Sequence, residues 1–73
     1  MTNQDTHMQV ITTNIACMKT LLEKALLATV EADAAATAKE RNRAIGCLLD
    51  LEPLLTNAKA LYDATLFMHS SAR

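Results

Sequence analysis

The stretch Val30-Glu31-Ala32-Asp33-Ala34-Ala35-Ala36-Thr37-Ala38-Lys39 decides how this chain folds. After Val30 it carries no large apolar side chain, so a helix running through it has little to bury there. The chain reversal is therefore placed at residues 34–37. No Gly or Pro marks it, but Thr37 and Glu40 stand at capping-box spacing, which makes Thr37 the expected cap of a returning helix. A single uninterrupted helix is the rival reading. It leaves a long rod with a broad apolar face uncovered, and burial of that face favours the hairpin.

Upstream, Thr2 with Asp5 and Thr6 with Gln9 offer start signals, and the first helix is expected over about 5–33. Met8, Ile11, Ile15, Met18, Leu22, Ala25 and Thr29 follow a three-four spacing that keeps them on one stripe. Val10, Cys17, Leu21 and Ala28 lie beside it and widen the apolar arc to roughly half the circumference. One facing helix does not cover so much.

Downstream, a second helix is expected over about 38–69, with Ala44, Cys47, Leu48, Leu51, Leu54, Leu55, Ala58, Leu61, Tyr62 and Thr65 on one broad face. Pro53 removes the donor that would serve the carbonyl of Leu49, so the helix should bend near it. Division with Pro53 opening a third helix is the alternative, disfavoured because Glu52 is a poor cap. The fold class is all-α: one domain, 1–73, an antiparallel two-helix hairpin. Two such hairpins docking into a four-helix bundle would cover the surplus apolar surface of both. The dimer and core residues expected from this pattern are Ile11, Ile15, Met18, Leu22, Leu48, Leu51, Leu55, Leu61 and Tyr62.

Composition agrees. One Gly, one Pro and two aromatics, Tyr62 and Phe67, among 73 residues favour helix over strand. A chain this short seldom buries enough to be comfortable alone. A net charge of −1 supplies no field for gripping phosphate backbones or anionic lipid, which argues against nucleic acid and membrane as partners. With no apolar run of spanning length and no secretory leader pattern at its start, a reducing, cytoplasmic location is expected. Cys17 and Cys47 then read as small buried hydrophobes.

Nothing in the sequence assembles a catalytic or cofactor motif, so no enzyme, metal or cofactor is expected. His7 and His69 are brought toward one another by an antiparallel hairpin, but two ligands do not make a zinc site. More informative are Ile45, Leu49 and Phe67, which miss the expected core stripe. Beside the first two, Lys39, Arg41 and Arg43 crowd the opening of the second helix, where positive charge costs about 0.3–1 kcal/mol against the helix dipole and Glu40 offsets part of it. These six residues are the candidate partner-binding set, with coverage of the apolar ones by a second copy as the alternative. An RNA-binding bundle is a further rival, weakened by the near-neutral charge.

The opening Met1-Thr2-Asn3-Gln4-Asp5, the Ala-rich reversal, Leu51-Glu52-Pro53-Leu54-Leu55 and Ala60-Leu61-Tyr62-Asp63-Ala64-Thr65-Leu66 resemble the small helical-hairpin host-takeover proteins of Mu-like Pseudomonas phages, a group of twitching inhibitors and quorum-sensing anti-activators. The resemblance implies a homodimer, in the host cytoplasm, that binds the type IV pilus assembly ATPase and so blocks twitching and superinfection. Some members also bind a quorum-sensing transcription activator. The aromatic residues associated with those contacts fall on Ala44 and Asp50 here, so no contact residue carries over.

Overall fold

From Ile11 to Ala35, solvent is partly or fully excluded from Ile11, Asn14, Met18, Leu21, Ala25, Ala28, Ala32 and Ala35. The same alternation of three and four runs through Ala44, Cys47, Leu51, Leu54, Ala58, Leu61, Thr65 and Met68. A seven-residue repeat of this kind keeps one seam of a helix facing a partner helix along its whole length. The computed structural model, which describes residues 3–71 and the side chains of 6–71, joins the two seams as a hairpin. Helix α1 (Asn3–Thr37) forms one arm; α2 (Arg41–Leu49) and α3 (Leu51–Ser71) form the other. Helix α1 lies against both α2 and α3. The described residues contain no strand.

The molecule is a rod of 56 × 14 × 12 Å with a radius of gyration of 16.7 Å. A globular chain of this length would have a radius near 11 Å by the usual scaling. Elongation leaves little interior. The buried residues among those described are alanines: Ala25, Ala32, Ala35, Ala44 and Ala58.

The reversal falls later than residues 34–37. Helix α1 continues to Thr37, and the turn is made by Ala38, Lys39 and Glu40. Lys39 adopts φ 62°, its amide donates to the carbonyl of Ala36 at 3.0 Å, and the amide of Glu40 donates to that of Ala35 at 2.8 Å. This pair of bonds around a left-handed residue is a Schellman cap, built here on lysine instead of glycine. Thr37 is thus the last residue of α1 and caps nothing. The residue at the N-cap of α2 is Glu40, without a side-chain capping bond. The Ala-rich stretch is not a place where burial fails, because small side chains let the two arms approach closely and Ala32 and Ala35 are buried in the seam, at 6% and 0% exposure.

The second arm is interrupted at Asp50, three residues before Pro53. Asp50 keeps helical dihedrals (φ −68°, ψ −19°), and its amide still reaches the carbonyl of Gly46 at 3.3 Å. The missing amide of Pro53 withdraws the partner of the Leu49 carbonyl, the last residue of α2, so the break appears one turn upstream of its cause. Pro53 is the third residue of α3, which begins at Leu51. The first helix is already formed at Asn3, the first described residue. Its expected Thr2–Asp5 signal lies outside the described residues and side chains.

Equal rise on both arms from a turn centred near Lys39 and Glu40 sets the register. Ala35 stands level with Ala44, Ala28 with Leu51, Met18 with Leu61, and Ile11 with Met68. One layer is polar, where Asn14 stands level with Thr65. The Thr65 hydroxyl is satisfied by donating to the carbonyl of Leu61 at 2.7 Å, as Thr29 does to Ala25 at 2.8 Å.

Candidate protein-interaction surfaces

The seam uses only part of the apolar surface. Thirteen large hydrophobic residues among those described are exposed, and their positions in the seven-residue repeat sort them. Met8, Ile15 and Leu22 each follow a seam residue of α1 by one position (His7, Asn14 and Leu21). Leu48, Leu55 and Tyr62 do the same on the returning arm, after Cys47, Leu54 and Leu61. When one of two paired helices is reversed, positions that follow the seam residue come to lie on the same side of the pair. The six residues therefore form two parallel ridges on a single side of the hairpin. Leu26, Ile45 and Leu66, a further step around the same side, flank them. On α1 this surface is a shallow groove lined by Ile15, Met18, Lys19, Leu22, Glu23 and Leu26.

The opposite side is different in kind. Positions preceding the seam carry Lys24, Glu31, Arg43, Asp50 and Asn57, with Val10, Cys17 and Ala64. The hairpin is thus two-faced about its own seam, with one side apolar and the other largely charged or polar.

This arrangement divides the expected core set. Ile11, Met18, Leu51 and Leu61 are half-buried in the seam. Ile15, Leu22, Leu48, Leu55 and Tyr62 are not part of the hairpin core and stand on the apolar side, roughly half exposed. The seam of α1 passes through Asn14 and Leu21, one residue away from the stripe through Ile15 and Leu22. Only the former register continues through Ala28, Ala32 and Ala35. Cys17 is exposed and does not behave as a buried hydrophobe, whereas Cys47 is partly covered in the seam; both are free thiols.

Of the candidate partner-binding residues, Lys39, Arg41 and Ile45 come together at the hairpin tip, where with Ala36 and Ala44 they line a small groove. Arg41, Ile45 and Leu49 succeed one another at intervals of four along α2, and so form a ridge leading away from the tip. Ile45 is 49% exposed and Leu49 65%. Arg43 points elsewhere. Its guanidinium donates to Glu40 at 3.1 Å, and that bond, reinforced by the carboxylate charge, raises its pKa further above the ordinary range. Phe67, 73% exposed, sits some 22 residues farther along the same arm, roughly 33 Å from Ile45 at helical rise. It does not join the tip.

His69 is exposed, and Nδ1 of His7 is shielded without a hydrogen-bond partner. Among the described residues no group of three or more His, Cys, Asp or Glu converges as a metal site. No helix among them is long and apolar enough to cross a membrane. Lys59 donates to Asp63 at 2.7 Å and lies 5.1 Å from the centre of the Tyr62 ring. The bond, with the carboxylate charge, raises the pKa of Lys59.

Fold and surface together define a small all-helical hairpin whose exposed features suit contacts with other proteins. Compared with protein-family models, curated proteins and solved structures, the chain matches none of them.

Proposed function

We propose that the chain is a non-catalytic inhibitor: a dimer of hairpins that docks on a host protein through its tip. The observation that carries this reading is the groove and ridge at the reversal, where Lys39 and Arg41 line a groove with the exposed Ile45 and the exposed Leu49 lies one turn beyond. An apolar strip edged by cations suits a partner surface that is apolar at its centre and acidic around it. The partner implied by the family resemblance is the cytoplasmic type IV pilus assembly ATPase, and its blockade would stop twitching and superinfection. Phe67 lies too far along the rod to share this contact.

Titration of the purified pilus assembly ATPase with the full chain, followed by calorimetry, tests the reading. Saturable binding that disappears in Arg41→Glu and Leu49→Asp proteins of unchanged helicity supports it. Absence of binding by the wild-type chain overturns the choice of partner, and binding indifferent to both substitutions overturns the choice of surface. A second reading is a self-assembling adaptor, favoured by the length of the apolar side, which runs from Met8 to Leu26 on α1. A quorum-sensing transcription activator is the alternative target within the same inhibitory reading.

A further inference from the structure

The dimeric part of that reading can be given a definite interface. We infer that the apolar side bearing the ridges of Ile15, Leu22, Leu55 and Tyr62 is where a second copy of this chain docks. The amount of surface points to this occupant. The hairpin exposes 5648 Å² for a mass of 7.9 kDa, whereas compact monomers of that mass expose about 4,400 Å² by surface-to-mass scaling. The excess, about 1,200 Å², exceeds the roughly 800 Å² that each partner contributes to a standard interface, and falls in the range of obligate dimers.

Pattern and charge point the same way. The ridges repeat every seven residues on both arms, the spacing at which helices of a bundle interlock, so an identical hairpin offers matching ridges without further adaptation. A face repeating along the length of the rod suits another rod better than a compact surface. Its edges carry both signs, Lys19 and Lys59 against Glu23 and Glu52, and therefore neither attract a strongly charged partner nor repel a copy. A two-fold pairing would bury both ridges and place four helices around one core.

The inference rests on the dimeric reading, and the test separates the two. The full chain is examined by sedimentation equilibrium, and a photo-crosslinking p-benzoylphenylalanine is placed at Tyr62 on the apolar side or at Phe67 off it. The expected result is a wild-type dimer that crosslinks copy to copy from position 62 and not from 67, with a dissociation constant at least tenfold weaker in Leu55→Glu. A wild-type monomer at micromolar concentration overturns the dimer and the interface together. A dimer that crosslinks from 67 alone, or from both positions equally, overturns this interface while leaving dimerisation standing. Crosslinking reads contact directly, so it remains decisive if Leu55→Glu fails to fold.

Discussion

The amide of Glu40 donates to the carbonyl of Ala35 at 2.8 Å across Lys39, a residue held at φ 62°. A left-handed backbone is adopted most easily by glycine, and a side chain there costs about 1 kcal/mol. Lys39→Gly should therefore stabilise the hairpin by about that amount, offset in part by the greater freedom of glycine in the unfolded chain. Urea denaturation followed by circular dichroism measures it. A loss of stability would mean that the lysine side chain has a structural role of its own.

Ala35 is completely enclosed level with Ala44, whereas Ala36 beside it is exposed. Ala35→Leu should force the arms apart and cost about 1–3 kcal/mol, as overpacking does. Ala36→Leu should be nearly neutral. Thermal melts of the pair compare the same chemical change on and off the seam.

Asn14 interrupts the seam with a polar side chain. Replacing it with Leu should raise stability by about 1 kcal/mol while weakening the preference for one register, because a polar residue in such a seam trades stability for alignment. Chemical denaturation reports the first effect. The second would appear as a mixture of oligomers in sedimentation.

Pro53 leaves the Leu49 carbonyl without its helical donor. Pro53→Ala should close the gap at Asp50 and fuse α2 with α3, a change read as slowed amide exchange at residues 50–52. Unaltered exchange would locate the cause of the break in Asp50 itself.

The ion pairs Arg43–Glu40 and Lys59–Asp63 are both solvent-exposed. Each raises the pKa of its cation, so the stability it contributes is present below the unfolded-state pKa and lost only as pH rises through the still higher folded value. For both groups that window is strongly alkaline. These cations should therefore add no slope to stability between pH 6 and 9, and moderate salt should shift the melting temperature little, which a scan over pH and sodium chloride would check.

The all-helical class and the return of the chain after an Ala-rich stretch were legible in composition and periodicity. The seam was not. Large side chains dominate a helical wheel, so Ile15 and Leu22 outweighed Asn14, Ala28, Ala32 and Ala35, although only the latter register persists to the turn. An alanine is informative about packing through what it permits, the approach of two backbones, and that is invisible until the facing helix is in place. The Schellman turn was missed for a related reason: its usual glycine is absent, and nothing in the sequence distinguishes Lys39 from other surface lysines. At the candidate tip, the intervals of four joining Arg41, Ile45 and Leu49 could be read directly from sequence. The separation of Phe67 from them follows from its place near the far end of α3.

The layers that fill the hairpin also grade in bulk, from Ala35 level with Ala44 at the turn to Ile11 level with Met68 near the chain ends. Because the separation of two helices follows the size of the side chains between them, the two arms should approach most closely at the turn. Such a shape can enter a cleft turn-first, so a partner would meet Lys39 and Arg41 before any apolar contact formed. Recognition would then begin with charge and tighten by burial, its rate of onset falling with added salt while the lifetime of the final complex changed far less.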